Sequence, residues 1–194
     1  MKKATIALLL ICGAVFAQQK GSFTDTRDKK TYKTVKIGKQ TWMAENLNYD
    51  AKGSKCYDNK PANCEKYGCL YDWETALKAC PSGWHLPSMD EYQVLNNTVG
   101  RWDVVDKKLK SSSGWKDDDS GTDEFGFSAL PGGYGNSDGH FQDVGYSGYW
   151  WSASEFTDCN SGGSCSAHIY YSSINAQYIF YVYDLLFSVR CVKD

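Results

Sequence analysis

The stretch DWETALKACPSGWHLPSMDEY, residues 72–92, decides the fold because it holds two helix signals on either side of a chain reversal. The first signal is a set of apolar side chains at i, i+3, i+4 and i+7, the spacing of one helical face. The residues with this spacing are Trp73, Ala76, Leu77 and Cys80. Pro81, Ser82 and Gly83 follow at once and end the helix. The pattern therefore predicts a short helix with Cys80 on its buried face.

A second helix is predicted from Ser88, because Ser88 and Glu91 form the S-x-x-E pattern of a capping box. In that motif the serine hydroxyl accepts from the glutamate backbone N–H, and the glutamate carboxylate accepts from the serine N–H. The expected buried stripe of this helix is Met89, Tyr92 and Leu95. A further short helix is expected to carry Trp102, Val105 and Leu109.

Cys80 and His85, five residues apart, raise the question of a nucleophile and its base. A thiolate nucleophile needs an accessible position within hydrogen-bond reach of the imidazole. Cys80 falls on the apolar helix face, and the chain reverses before His85. We therefore interpret Cys80 as a structural cysteine and His85 as a partly buried structural histidine.

Upstream, alternation of polar and apolar residues around Gly38 and Lys39 predicts a hairpin of two short strands. The apolar positions are Tyr32, Val35, Ile37, Trp42 and Leu47. Residues 54–73, SKCYDNKPANCEKYGCLYDW, then place three cysteines among turn-forming residues. We expect an irregular loop there, pinned by a short-range disulfide.

From Ser111 onward, glycine, serine and aspartate with scattered aromatics indicate short strands separated by turns. The expected strands are FGFSALPGGY (125–134), GHFQDVG (139–145), GYWWSASE (148–155), AHIYY (167–171), YIFYVY (178–183) and a closing LFSVRCVKD (186–194). Trp150 and Trp151 are neighbours in one strand and must face opposite ways, so at least one belongs to the core. The sequence thus predicts an α+β fold with more strand than helix.

Residues 1–17 have the pattern of a secretory signal peptide, with Lys2 and Lys3 before an apolar run from Ala4 to Ala17. A lipoprotein anchor at Cys12 is the less favoured alternative, because bulky Ile11 precedes it. No later stretch of the sequence approaches the roughly 20 apolar residues of a membrane span. Residues 18–24 are then a polar lead-in and residues 25–194 a single domain, secreted or held at the cell surface.

The net charge bears on the kind of partner, and the cysteine content bears on the cellular compartment. The 21 Lys and Arg against 23 Asp and Glu give a net charge of −2, and loss of the leader makes the chain more acidic still. This argues against a nucleic-acid partner held by phosphate neutralisation. Seven of the eight cysteines follow residue 17; in an exported chain they indicate disulfides, with one cysteine left over.

Five blocks of the sequence closely resemble the Fibrobacter succinogenes major paralogous domain family and occur in that family's order. The blocks are residues 25–49, 56–92, 121–134 (GTDEFGFSALPGGY), 150–154 (WWSAS) and 188–193 (SVRCVK). The resemblance implies an exported bacterial protein, often surface-associated, in a family without an established enzymatic activity.

A more distant likeness is to the C-type-lectin-like fold, which also pairs an early helix cysteine with one in the last strand. It implies two or three short helices against small twisted antiparallel sheets, with long loops and bracing disulfides. The sugar-binding motifs of calcium-dependent lectins and the closing blocks of formylglycine-generating enzymes are absent from the sequence. Their chemistry is therefore not carried over.

With these likenesses, the cysteines fit three disulfide pairs. The pairs are Cys56 with Cys64, Cys159 with Cys165, and Cys80 with Cys191. Cys69 is then a free thiol, at a position where the Fibrobacter family usually has arginine. An alternative in which Cys69 displaces Cys56 or Cys64 stays open.

Aromatic rings in the glycine-rich loops are the candidate ligand-binding residues, because flat rings stack on sugar faces or anchor a protein partner. They are Trp115, Tyr134, Tyr146 and Tyr149. The acidic run KDDDSGTDE, residues 116–124, offers Asp117, Asp118 and Asp119 as calcium ligands. A solvated acidic loop is the favoured interpretation of that run, and no other cofactor is expected.

We expect a secreted or cell-surface, non-catalytic binding or adhesion module that takes a polysaccharide or a cell-surface protein through the loops between Ser111 and Cys165. One alternative is a structural surface protein with a protein partner. The other is a small secreted hydrolase or oxidoreductase that uses acidic residues or Cys69. An enzyme that uses Cys69 requires a lowered pKa of the Cys69 thiol.

Overall fold

Two β-sheets and four short α-helices form the part of the chain that the computed structural model describes, residues 18–156, 165–171, 176–181 and 185–194. The helices are α1 (Pro61–Tyr67), α2 (Trp73–Ala79), α3 (Met89–Val99) and α4 (Trp102–Leu109), and a 3₁₀ turn at Tyr57–Asn59 precedes them. The expected α+β class is confirmed, while the finer C-type-lectin-like arrangement stays a prediction. Across these ranges, every helix is too short or too polar to cross a membrane.

The first sheet has five antiparallel strands. They lie side by side in the order β1 (Gln19–Thr24), β2 (Thr31–Ile37), β3 (Gln40–Met43), β12 (Val192–Lys193) and β5 (Trp84–His85). Strands β2 and β3 form the predicted hairpin, with Gly38 at φ 59° in the turn. Because β12 lies between β3 and β5, the C-terminal residues are part of this sheet.

Strand β1 lies within the segment that the sequence suggests is a polar lead-in. It pairs with β2 over its whole length, from Gln19 opposite Lys36 to Thr24 opposite Thr31. Residues 18–24 are an expected lead-in outside the domain, but β1 makes them an edge of its first sheet.

The second sheet has seven strands. Six lie in the order β10 (Ala176–Tyr181), β9 (Cys165–Tyr171), β8 (Gly148–Phe156), β11 (Leu185–Ser188), β6 (Tyr134–Asn136) and β7 (Phe141–Gln142), and β4 (Leu70–Tyr71) pairs with β11. The pairs are antiparallel except β8 with β11, which run parallel where Trp150 meets Ser188. The strand expected over 125–134 is wrong, because Gly126 and Ser128 have φ of 68° and 54° and break the extended chain.

The helix predictions hold best where a cap defines the start. The Ser88 capping box is confirmed: Ser88 Oγ accepts from Glu91 N–H, and the Glu91 carboxylate accepts from Ser88 N–H. Helix α2 is shorter than expected, because Cys80 has ψ 141° and is extended. A residue before proline is pushed out of helical geometry, so Pro81 removes Cys80 from the helix. Leu77, expected in the buried stripe, is 40% exposed.

Helix α1 contradicts the irregular loop expected over residues 54–73. Pro61 occupies its first turn, where a missing N–H leaves no intrahelical bond unmade. Gly68, at φ 81°, ends it. The turn-forming residues around the cysteines predict a loop, so the sequence gives no clear signal for this helix.

Strand β8 is buried on both faces and separates two hydrophobic cores. The first core holds Trp150 with Val35, Trp42, Tyr92, Leu95 and Phe127. The second holds Trp151 with Tyr71, Trp73, Ala76, Phe187 and Val189. The prediction that the adjacent tryptophans face opposite ways is confirmed, and both are core residues.

Arg190 is buried, and its charge is met by an amide oxygen and backbone carbonyls. Its Nε and Nη2 donate to Asn46 Oδ1 at 3.1 and 2.7 Å, and its Nη1 donates to the Phe127 carbonyl. Asn46 Oδ1 also accepts from Trp150 Nε1 at 2.8 Å, while the Asn46 amide donates to the Tyr67 carbonyl at 2.7 Å. A buried charge requires such partners. This group of contacts fixes the loop after β3 against the end of β11.

Two disulfides brace the described residues. Cys56 bonds to Cys64, eight residues away, and Cys80 bonds to Cys191, 111 residues away. These are two of the three expected pairs. Cys159, of the third pair, lies outside the described residues. Cys69 is free and buried.

Candidate functional site

Trp115 and Tyr149, two of the four rings predicted to bind a ligand, belong to the core. Trp115 is 7% exposed, and its Nε1 donates to Ser111 Oγ at 3.0 Å. Tyr149 stacks on Phe187 with ring centroids 5.2 Å apart, and its hydroxyl donates to Asp143 at 2.7 Å. Each polar tip finds a partner inside the protein, which lets the ring be buried. The structure therefore places these two rings in the core and not on an exposed surface.

Tyr134 and Tyr146 are the two predicted rings that reach solvent. Tyr134 is half-buried, edge-on to Tyr149, and its hydroxyl donates to Gln142 at 3.0 Å. Tyr146 is 48% exposed, with Lys116 Nζ 4.5 Å from its ring centroid. The sequence-predicted binding surface is thus reduced to one exposed tyrosine and the edge of another.

The acidic run at residues 116–124 forms a loop stabilised by internal contacts. Asp119 accepts a charged hydrogen bond from Lys110 Nζ at 2.5 Å. Asp117 and Asp118 are exposed, both at φ 56° in turns. In the part of the chain that the structure describes, these carboxylates do not form a cluster of metal ligands. The geometry agrees with a solvated loop and adds nothing in favour of calcium.

His85 lies between two carboxylates near the C-terminus. Its Nε2 is 2.7 Å from Glu91 Oε1, and its Nδ1 is 2.6 Å from Asp194 Oδ1. Burial opposes the charged imidazole, but hydrogen bonds to Asp194 and Glu91 outweigh it and raise the pKa of His85. The Ser88 hydroxyl donates to Glu91 at 2.9 Å instead of to His85. A serine nucleophile must bond to the imidazole of its base, and Ser88 does not. The contacts of His85 with Glu91 and Asp194 instead connect the C-terminal residue to α3.

A cleft of about 520 Å³ lies between the loop after β3 and the first turn of α2. Its lining includes Tyr49, Lys52, Asp72, Glu74, Thr75 and Lys78. The volume is within the roughly 300–1,000 Å³ of small-ligand sites. Two aromatic side chains, Tyr49 and Trp73, charges of both signs and a hydroxyl therefore line one open space, which we call the Tyr49 cleft.

Tyr49 is held in the cleft wall through its ring and its backbone. The Arg27 guanidinium lies 3.8 Å from the ring centroid and is itself paired with buried Asp25 at 2.6 Å. The buried Tyr71 hydroxyl accepts from Tyr49 N–H at 3.1 Å and donates to the Tyr49 carbonyl at 2.7 Å. Contacts within the protein therefore fix the position of this wall.

The opposite wall is the capped start of α2. Asp72 Oδ1 accepts from Thr75 N–H at 2.8 Å, and Asp72 Oδ2 accepts from the Thr75 hydroxyl at 2.9 Å. Each carboxylate oxygen has a second lone pair that a ligand hydroxyl can use. Trp73 anchors this turn by donating from Nε1 to the Ser152 carbonyl at 2.9 Å. The wall therefore presents fixed acceptors beside the exposed lysines Lys52 and Lys78.

Three sulfur atoms, those of Cys56, Cys64 and Cys69, lie within 4.8 Å of one another. Cys69 Sγ is 3.1 Å from Cys64 Sγ, and we call this group the sulfur cluster. Because Cys56 and Cys64 are bonded to each other, it is a disulfide beside a thiol and not an open metal site. Burial raises the pKa of the Cys69 thiol. This is the reverse of the lowered pKa that an enzyme with Cys69 as nucleophile requires.

Sequence reasoning missed the Tyr49 cleft. The pattern D-x-x-T at Asp72 and Thr75 is an N-cap signal that locates one wall. Tyr49 itself carries no local signal, because its position depends on Arg27 and on Tyr71, which is 22 residues away.

A sequence model described as the Fibrobacter succinogenes major domain matches residues 35–193. No curated protein and no solved structure matches the chain. The matched range holds the sulfur cluster, the Cys80–Cys191 disulfide and both walls of the Tyr49 cleft. The resemblance noted in the sequence blocks is therefore confirmed over most of the chain.

Proposed function

The chain belongs to the Fibrobacter succinogenes major domain family, and from this premise we propose that it is an exported, non-catalytic module that binds a polysaccharide in the Tyr49 cleft. The single observation that carries the proposal is the preformed cleft, with Tyr49 held by Arg27 and Tyr71. A cleft whose ring is already fixed loses little conformational entropy when a ligand binds.

The lining of the cleft matches the chemistry of sugars. A pyranose offers an apolar C–H face, which a fixed tyrosine ring can cover, and hydroxyls around its rim. Asp72 and Glu74 supply acceptors, and Lys52 and Lys78 supply donors. The mixture of charges suits a neutral or weakly charged polysaccharide better than a strongly ionic one.

Export is supported by the covalent chemistry of the described residues. Disulfides form and persist in oxidising compartments. The described residues contain two of them, one of which closes a separation of 111 residues. The signal-peptide pattern over residues 1–17 agrees with this compartment.

The absence of catalysis in the proposal rests on two arrangements. The Ser88 hydroxyl bonds to Glu91 and not to His85, so Ser88 and His85 do not form a nucleophile and its base. Cys69 is buried, and burial raises its thiol pKa. Neither arrangement provides the activated nucleophile that a hydrolase requires.

The test is retention of the oxidised chain from residue 18 on a panel of insoluble and soluble plant and bacterial polysaccharides, with and without calcium. Tyr49→Ala should weaken binding to the retaining polysaccharide about tenfold, since a stacked ring contributes about 1.5 kcal/mol. Tyr146→Ala is the matched control, because it removes an exposed ring outside the cleft. Thermal melts of both variants exclude a loss through unfolding.

Each outcome decides between sites and partners. Loss with Tyr49→Ala alone supports the cleft. Loss with Tyr146→Ala alone transfers binding to the loop surface expected from the sequence. Calcium-dependent retention would restore the acidic loop as a metal site. Failure to bind any polysaccharide contradicts the proposal and directs the search to protein partners at the cell surface.

A further inference from the structure

The sulfur cluster places a free thiol against a disulfide. Cys69 Sγ lies 3.1 Å from Cys64 Sγ, about 1 Å longer than the 2.04 Å bond between Cys64 and Cys56. Reacting atoms held about 3–3.5 Å apart are already in near-attack range. The thiol and the disulfide share one chain, so their effective concentration is high.

We propose that these three cysteines form a thiol–disulfide exchange relay that moves the free thiol from buried Cys69 to half-buried Cys56. Cys69 loses its proton and its thiolate attacks Cys64 Sγ. The Cys69–Cys64 bond forms as the Cys64–Cys56 bond breaks. Cys56 leaves as a thiolate and takes up a proton, so atoms and electrons balance without an external oxidant or reductant.

The three sulfur atoms differ in burial, so the exchange changes how accessible the free thiol is. Cys69 is 4% exposed, and its thiol contacts Asn48 Oδ1 at 3.3 Å, which accepts the S–H hydrogen bond. Cys64 is 5% exposed but borders a second cleft of about 280 Å³, which Asn48 also lines. Cys56 is half-buried. The exchange therefore converts a thiol enclosed by protein into one that solvent and small electrophiles reach.

The functional consequence is a covalent modification site at Cys56 that depends on Cys69. Once released, the Cys56 thiol reacts with alkylating agents, or with a low-molecular-weight disulfide to form a mixed disulfide. In that second reaction the external disulfide is the named co-reactant, and half of it leaves as a thiol.

The pH dependence of the relay follows from the attacking species. The thiolate is the nucleophile, and burial keeps Cys69 as the neutral thiol. Below the thiol pKa, the rate should rise about tenfold for each unit of pH. The relay is slow near neutral pH and is observed most readily in mild alkali.

The experiment uses the oxidised chain without reductant, treated with iodoacetamide under native conditions and quenched in acid at increasing times. Peptides are then mapped without reduction. The expected product has the label on Cys56 together with a Cys64–Cys69 disulfide. Cys80 and Cys191 serve as the internal standard and should stay bonded and unlabelled. In Cys69→Ser, labelling of Cys56 should fall at least tenfold, since the Cys56–Cys64 bond has no attacking thiol.

A second variant tests the geometry apart from the rate. Cys56→Ser leaves Cys64 and Cys69 as the neighbouring pair, and mild oxidation should join them, with loss of two hydrogens in mass and of both labels. Label found on Cys69 with the Cys56–Cys64 bond intact would overturn the proposal. So would a native protein that is labelled only after unfolding, or a Cys56→Ser protein whose two thiols stay free under the same oxidation.

Discussion

Two disulfides within the described part of the chain have very different surroundings. Cys80–Cys191 joins the end of α2 to the segment between β11 and β12, and Cys191 is fully buried. Cys56–Cys64 spans only eight residues, Cys56 is half-buried, and a third sulfur lies 3.1 Å from Cys64. The surroundings, and not the bond, make one a brace and leave the other able to exchange.

Backbone hydrogen bonds make the difference concrete. The Cys191 carbonyl accepts from Met43 N–H at 3.0 Å, and neighbouring Val192 pairs with Trp42 and with His85 in the first sheet. The Cys191 end of the long disulfide is therefore held by the first sheet, while Cys80 lies at the end of α2. The short disulfide lies between a 3₁₀ turn and α1, where Asn59 N–H donates to the Cys56 carbonyl at 2.8 Å. The backbone carbonyls of Cys56 and Cys64 thus accept hydrogen bonds from residues only three or four positions away.

Removing the long disulfide should have the largest effect on stability. In the chain-entropy model, a loop of 111 residues contributes about 4.8 kcal/mol, against a net stability of about 5–15 kcal/mol for a typical domain. We expect Cys80→Ala with Cys191→Ala to lower the free energy of unfolding by about 4–5 kcal/mol in urea titrations. A loss below about 2 kcal/mol, the low end of typical disulfide contributions, would contradict the assignment of this bond as the main brace.

Removing the short disulfide should cost less, and the cost should depend on Cys69. A loop of eight residues contributes about 2.5 kcal/mol, and a Cys64–Cys69 loop of five would contribute about 2.1 kcal/mol. Oxidised Cys56→Ala should therefore lose much less stability than Cys56→Ala with Cys69→Ala, because a replacement bond forms only in the first. Urea titrations of the two variants measure the difference. Equal losses would show that Cys64 and Cys69 do not pair.

The same contrast explains what the sequence predicts well. The capping box at Ser88 and the hairpin around Gly38 are local patterns, and the structure contains both. The single closing strand expected over 186–194 is instead divided between β11 and β12, which belong to different sheets. The geometry of the cap and the hairpin is set by hydrogen bonds between residues a few positions apart or by strict alternation. The α+β class follows from such patterns.

The candidate site depends on contacts that no local pattern encodes. Trp115 lies in a glycine-rich loop, but Ser111 offers its indole a buried acceptor, so the ring packs in the core. Tyr49 lies in a loop of similar composition but is held in a cleft wall by Arg27 and Tyr71. Loop composition alone does not show which of these rings is packed in the core and which lines a cleft. The outcome depends on contacts that each ring makes in the folded chain.

Helix α2 shows a smaller failure of the same kind. The apolar spacing places Leu77 and Cys80 on one buried face. Pro81 makes Cys80 extended, and the helix then buries Ala79 while Leu77 faces solvent. The periodic pattern is correct for the helix but not for its last turn, where the proline dominates.

The smallest expected effect on stability comes from the ion pairs of His85 with Glu91 and Asp194, which lie near the Cys80–Cys191 disulfide in the sequence. Hydrogen bonds to Asp194 and Glu91 raise the pKa of His85 against the opposing effect of burial. Burial favours neutral Glu91, but hydrogen bonds from Ser88 and His85 outweigh it and lower the pKa of Glu91. The histidine contributes stability that is full below its ordinary pKa of 6.5 and is lost as pH rises through the raised value. The glutamate contributes stability that is full above 4.5 and is lost as pH falls through the lowered value.

His85→Gln should therefore be most destabilising between pH 4.5 and 6.5, where both partners are charged. The His85 side chain is 42% exposed, so solvent screens the pair and the loss should stay below about 1 kcal/mol. Urea titrations at pH 5.5 and pH 9 measure it, with exposed His140→Gln as the matched control. An equal loss at both pH values would mean that His85 acts by packing alone. A loss confined to pH 5.5 and reduced by salt would show that charge holds the C-terminus to α3, as an outer layer of the brace that the Cys80–Cys191 disulfide provides.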